Sequence, residues 1–172
     1  MININIFFAL ILTALILIFL LFQPMKLKQQ KFGDIPMFEL TSFTLHELNR
    51  AGLQTVMTGD DAIRYEDRYT VSNIDYTDNS KEYIANMKAK HGLYKENIVD
   101  LEENVVYKRE DGLTFETDRT VYNKNTSIAS ADSDYISYRG ENVIKGSSVK
   151  YNNSLNRVDS KNVRATYQLK ER

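Results

Sequence analysis

Two hydrophobic periods follow one another along this chain. From Ile6 to Phe22 there is no charge, no Pro and no Gly, and Thr13 is the only polar side chain. After Lys26 the apolar positions recur every second residue, and that period holds to the end. The first block predicts a single transmembrane helix, because Met1–Phe22 meets the length of roughly 17 to 20 apolar residues that crosses a bilayer core. Fourteen residues between Ile6 and Phe22 are Leu, Ile or Phe. Together they favour insertion by on the order of 4 to 8 kcal/mol. No Lys or Arg precedes Lys26, and Leu21-Phe22-Gln23-Pro24-Met25-Lys26 offers no small-residue cleavage site. The block therefore reads as an uncleaved anchor rather than a signal peptide.

Beyond the anchor, alternating segments bounded by Asn, Asp, Gly and Ser predict antiparallel strands. They are Phe38–Leu45, Tyr69–Tyr76, Glu82–Lys90, Asn97–Lys108, Leu113–Glu116, Arg119–Asn123, Tyr135–Arg139, Asn142–Lys145, Ser147–Tyr151, Arg157–Ser160 and Asn162–Leu169. Thr44–Ala51 reads equally as a short helix. Asp111-Gly112 is a hairpin signal, since Gly accepts the positive φ of a type I′ turn. Asp78-Asn79, Asn123-Lys124-Asn125 and Asn152-Asn153 mark further reversals. Both prolines, Pro24 and Pro36, precede the strands. The chain divides into an anchor (1–24), a linker (25–37), a β domain (38–169) and a tail (170–172).

Composition narrows the chemistry. The 22 basic and 23 acidic residues nearly cancel and form no basic stripe, which argues against a nucleic-acid partner. There is no Cys, so disulfides and thiolate sites are excluded. His46 and His91 lack metal-ligand spacing and no Ser-His-Asp set converges, so the reading is not an enzyme and calls for no metal or cofactor. The acidic pairs Asp60-Asp61 and Glu102-Glu103 read as solvated surface. Three basic residues, Lys26, Lys28 and Lys31, follow the anchor, and the positive-inside rule taken alone would put the β domain in the cytoplasm.

The strand faces carry a clue. Tyr83, Ala85, Met87 and Ala89 share one face of their strand, opposite Ile84, Asn86, Lys88 and Lys90. Val149 and Tyr151 share another face, as do Val163, Ala165 and Tyr167. Eleven Tyr and eight Phe with no Trp give broad inner faces, which fit either a closed core or a groove for an elongated apolar ligand. Ile74-Asp75-Tyr76-Thr77, Val121-Tyr122-Asn123 and Val149-Lys150-Tyr151-Asn152 share a weak pattern of stacked hairpins.

A resemblance rests on particular residues. Leu101-Glu102-Glu103-Asn104-Val105, Asp111-Gly112-Leu113-Thr114-Phe115, Thr117-Asp118 and Tyr122-Asn123 follow the order of the repeat in lipopolysaccharide-transport proteins. Gly146-Ser147-Ser148-Val149-Lys150-Tyr151-Asn152 resembles the Gly-x-Gly-x-x-Tyr-Asp segment that follows it there. With an N-terminal helix ahead of them, these segments resemble the LptC family. Glu103 stands where the family often has Gly, and Ser148 replaces the second Gly.

The resemblance implies an all-β fold, with a single N-terminal transmembrane helix followed by an open, elongated antiparallel β-jelly roll. It implies a periplasmic domain anchored in the inner membrane, against the lysine signal. The implied partners are lipopolysaccharide, an ABC transporter complex in the inner membrane and a soluble periplasmic bridge protein of the LptA type. Residues expected to line a lipid groove are Ile74, Tyr76, Tyr83, Ala85, Met87, Val105, Leu113, Phe115, Ile136, Tyr138, Val149, Tyr151, Val163 and Ala165. A partner edge strand is expected at Asn162, Val163, Arg164, Ala165, Thr166, Tyr167 and Gln168. The alternative readings are a membrane-anchored scaffold with a closed β core and a tethered hydrolase, which lacks a convergent catalytic set. A pilin-like subunit would need a Glu near the helix start, and none is present.

Overall fold

A computed structural model describes residues 4–21, 34–50 and 52–169. Helix α1 spans Ile4–Leu21, 18 residues without an acidic first turn or a basic last turn. Among the described residues no helix is long and apolar enough to cross a membrane. The expected span Met1–Phe22 begins and ends outside the described residues. Lys26, Lys28, Lys31, most of the 25–37 linker and the 170–172 tail also lie outside them. α1 belongs to one compact unit, Met1–Phe32, and the strands to another, Gly33–Arg172.

The second unit is an open antiparallel sheet of 12 strands. Six long strands come first: β1 (Phe38–Asn49), β2 (Gly52–Arg64), β3 (Tyr69–Asp78), β4 (Ala85–Lys95), β5 (Ile98–Arg109) and β6 (Leu113–Asn123). Six short ones follow: β7 (Ile128–Ala131), β8 (Tyr135–Arg139), β9 (Asn142–Gly146), β10 (Ser148–Asn152), β11 (Arg157–Lys161) and β12 (Arg164–Thr166). β1 to β6 pair in sequence order. At β6 the sheet forks: Leu113–Thr117 pairs with β8, whereas Val121–Asn123 pairs with β7. One arm continues as β7-β10-β11 and the other as β8-β9-β12.

Register explains the fork. Val71 and Ile74 both pack in the core cluster although three residues apart, a spacing that a regular strand would place on opposite faces. The same three-residue step occurs in β4, where a Cβ on Gly92 would touch Leu101 and Ile74 while Ala89 is buried. β5 instead steps by four, from Leu101 to Val105, and carries one extra residue relative to both neighbours. Asn73 (φ 50°), Glu103 (φ 61°), Asn104 (φ 56°) and, on β1, Ser42 (φ 50°) take left-handed conformations at these steps. Each step bends the strand and restores the apolar side to the interior, as β-bulges do. The sheet is thus bent along a line crossing β1 to β6, and beyond β6 the two halves become separate arms.

The halves meet in a core of Ile74, Ala89, Leu101 and Val105, packed by Met57, Val71, Tyr76, Met87 and Val99. Leu101 and Val105 are 2% and 1% exposed, each contributing about 1.5 to 3 kcal/mol of burial. The arms are joined by a bond between the Tyr135 and Ser160 hydroxyls at 2.8 Å. Gly146 is needed there, because a Cβ would lie 2.6 Å from the Tyr135 ring and 2.9 Å from the Lys161 carbonyl oxygen.

Several expectations are corrected. β2 was not expected: Gly59, Asp60 and Asp61 interrupt its alternation, yet they sit mid-strand at the bend. The helical alternative for Thr44–Ala51 gives way to strand through Asn49, with Ala51 outside the described residues. The strands expected at Leu113–Glu116 and Arg119–Asn123 are one, because β6 runs through Thr117-Asp118. β7 is a further strand not read from the sequence.

Two substitutions test this core by chemical denaturation of the full chain followed by circular dichroism. Leu101→Ala is expected to lower stability by about 2 to 5 kcal/mol, and a loss below about 1 kcal/mol would contradict the buried position. Gly146→Ala is expected to cost about 1 to 3 kcal/mol through overpacking against Tyr135.

Candidate functional site

Directly paired residues of antiparallel strands point to the same face. Following the pairs across the sheet gives one continuous row on the inner side of one half: Leu45, Met57, Tyr76, Met87, Tyr107, Phe115, Ser137, Ile144 and Ala165. The other half carries Phe38, Arg64, Tyr69, Tyr94, Val99, Tyr122, Ala129, Tyr151 and Val158. Each row crosses nine strands, and apolar or aromatic side chains dominate both. Phe115 stacks on Tyr135 with ring centroids 5.5 Å apart. Burial pushes the Tyr107 hydroxyl above its ordinary value; the guanidinium of Arg109 opposes this, and Tyr151 on the facing half adds to it. Burial likewise raises Tyr76.

Of the residues expected to line a groove, Ile74, Tyr76, Ala85, Met87, Val105, Leu113, Phe115 and Ala165 lie on the inner side of one half, and Val149 and Tyr151 on that of the other. Ile136 and Tyr138 do not join them. Register pairs Ile136 with Glu116 and Lys145, and Tyr138 with Thr114 and Val143, so both face outward. Tyr138 donates to Glu116 at 2.8 Å. Tyr83 precedes β4 and lies under the Arg109 guanidinium, 4.8 Å from the ring centre. Val163 sits in the β11–β12 connection and is 48% exposed. Inner-facing Met57 went unread with β2. Tyr107 was legible, since it shares the parity of Val105.

The two ends of the sheet differ from its middle. Phe38 and Leu45 on β1 are each 56% exposed. At the opposite end the boundary is shared by β11 and β12. The strand expected over Asn162–Leu169 shrinks to Arg164–Thr166: Asn162 turns with φ 52°, and past Thr166 the Gln168 amide donates to the Asn142 side chain at 3.0 Å. Arg164, Ala165 and Thr166 therefore form the pairing segment, while Asn162, Val163, Tyr167 and Gln168 flank it. A cleft of about 460 Å³ lies at the bend, lined by Asn104, Val105, Val106, Glu116, Thr117, Asp118, Asp134, Tyr135, Ile136 and Lys145. Its lining joins inner Val105 and Tyr135 to the outward Glu116–Ile136–Lys145 row, so it lies at the margin of the inner face.

The chain matches the family model described as lipopolysaccharide-assembly, LptC-related, over residues 7–168. It belongs to the LptC family. Membership implies involvement in lipopolysaccharide transport at the cell envelope, and the family is one of transport and scaffold proteins rather than enzymes. No curated protein sequence matches the chain.

One polar cluster secures the rim of the inner face. The Asp111 carboxylate receives Arg109 Nη2 at 2.6 Å and Arg139 Nη2 at 3.1 Å, and its side chain is 9% exposed. The hydrogen bond from Arg109 is the main reason its pKa falls from 3.8 to about 2. A depressed carboxylate contributes stability that is present above pH 4 and lost as pH falls toward 2. Asp111→Asn is expected to flatten the decline in unfolding midpoint over that window, leaving the remainder to other paired carboxylates such as Asp67 and Asp75. An unchanged slope would contradict the assignment.

Proposed function

We propose that this LptC-family chain is a single-pass protein of the inner membrane whose β domain lies in the periplasm and carries lipopolysaccharide acyl chains along its inner face. The observation that carries this reading is the unbroken inner row from Leu45 to Ala165, apolar over most of its length and exposed at both ends. A carrier needs no covalent step. Its task is to shield acyl chains, since a chain of about a dozen carbons left in water costs roughly 10 kcal/mol at about 0.8 kcal/mol per methylene. Met57, Tyr76, Met87 and Phe115 supply adaptable apolar contacts, with Met able to fill irregular gaps.

The uncharged block Ile6–Phe22 supports the anchor. The proposed membrane partner is an ABC transporter complex, whose cytoplasmic ATPase supplies direction. The proposed acceptor is a soluble periplasmic bridge protein of the LptA type, met at the β11–β12 end of the sheet. There the backbone of Arg164–Thr166 has one unpaired side and can add a partner strand.

The burial of Leu101 and Val105 favours a second reading, a scaffold with a closed core. In-cell photocrosslinking separates the two. A photoreactive residue at Met87 is expected to capture lipopolysaccharide and one at Lys88 is not, because these neighbours face opposite sides of β4. Absence of adducts at Met87, Phe115 and Val149 in a correctly inserted protein would favour the scaffold.

A further inference from the structure

The two lips of the bent sheet carry cations in different states. On the lip formed by β5, β6 and β8, Arg109 and Arg139 are both committed to Asp111. On the facing lip, Arg64 lies over the Tyr69 ring at 5.4 Å and Lys124 over the Tyr94 ring at 4.6 Å. Among the described residues neither Arg64 nor Lys124 has a carboxylate partner, whereas Lys88, Lys90, Lys95 and Arg119 each have one. Register puts Tyr69, Tyr94, Tyr122 and Tyr151 in one inner row on this lip. Tyr69 and Tyr94 are neighbours at 6.1 Å.

Cation–π contact orients a guanidinium or ammonium without neutralising it. Arg64 and Lys124 thus keep a full charge and free N–H donors beside a row of flat aromatic faces. Phosphate is the anion that such donors bind with charge-assisted hydrogen bonds. Tyrosine ring faces suit stacking against the C–H faces of pyranose sugars, and Tyr69 is 43% exposed. The inner row of the opposite half also holds Tyr76 and Tyr107, but these are set among Met57, Met87, Phe115 and Ile144, and the cations at its lip, Arg109 and Arg139, are already paired with Asp111.

Resting on the carrier reading above, we propose that the lip bearing Arg64, Tyr69, Tyr94, Tyr122, Lys124 and Tyr151 binds the phosphorylated sugar headgroup of the lipid. The acyl chains then run against the opposite half, so the lipid is held in one orientation. The headgroup is not merely left in water.

Two photoreactive probes test this with the full chain. Both are acylated, phosphorylated glucosamine disaccharides, one with a diazirine on the sugar and the other with a diazirine at an acyl terminus. Adducts are mapped by mass spectrometry. The sugar probe is expected to label Tyr94, Tyr122 or Tyr151, and the acyl probe Met57, Met87 or Phe115. In the double variant Arg64→Gln, Lys124→Gln, sugar-probe adducts on these tyrosines should fall about tenfold relative to acyl-probe adducts on Met57, Met87 or Phe115 in the same variant. An unchanged far-UV circular dichroism spectrum shows that the variant is folded. Undiminished sugar labelling in the variant, or sugar adducts concentrated on Met87 and Phe115, would overturn the headgroup lip while leaving the carrier reading intact. Inorganic phosphate binding as tightly as the lipid would overturn it in favour of a free-anion site. Labelling by neither probe would overturn the carrier reading itself.

Discussion

A sheet with one apolar face can bend sharply and still bury that face only if each strand changes its alternation at the bend, and the rest of this fold depends on that condition. The step from Val71 to Ile74, that from Ala89 to Gly92 and the extra residue between Leu101 and Val105 are three solutions to it. They require left-handed backbone at Asn73, Glu103 and Asn104, which is unfavourable for residues with a Cβ, less so for Asn. Local bonds offset the strain. The Asn73 side-chain amide donates to Asp60 at 2.6 Å, and Glu103 receives Lys90 at 3.0 Å. That ammonium holds the Glu103 carboxyl below its usual range.

From this constraint follow the features that matter for function. Bending turns one face of a single sheet into two facing walls without closing it, so the ends at β1 and at β11–β12 stay open. Lengthwise continuity comes from cross-strand register, which carries the inner row through nine strands. The bend also gives the walls independent composition, because each side of a strand's step faces the interior separately. One wall can therefore set Met57, Met87 and Phe115 around Tyr76 and Tyr107, while the other is lined mainly by Tyr with Arg64 and Lys124 at its rim. The acidic pairs Asp60-Asp61 and Glu102-Glu103, which invite a catalytic reading, lie instead at or beside the bend, where Asp60, Glu102 and Glu103 engage Asn73, Arg119 and Lys90.

Much of this was legible in the sequence where alternation is uninterrupted. β8 was read with its observed limits, and the facing of Ala85, Met87 and Ala89 follows from period two alone. Reading fails at the bend, because a three-residue step looks like the end of a strand. That is why β6 reads as two strands, Leu113–Glu116 and Arg119–Asn123, and why β2, with Gly59-Asp60-Asp61 in its middle, escapes the pattern. Facing was also ambiguous in Tyr135-Ile136-Ser137-Tyr138, where both parities carry large side chains. Only pairing with Glu116 and Thr114 sends Ile136 and Tyr138 outward. Glu103, the departure from the family's Gly, adopts the left-handed backbone that Gly would accept more readily.

The central claim is that the inner side of the bent sheet, and not its outer side, is the path of the lipid. The absence of Cys from the chain allows a direct measurement: maleimide labelling rates of single substitutions Met87→Cys, Phe115→Cys, Lys88→Cys and Ile136→Cys, with and without lipopolysaccharide. Lipid is expected to slow labelling at Met87 and Phe115 and leave Lys88 and Ile136 unchanged. Protection at Lys88 and Ile136 instead, or at none of the four, would contradict the account.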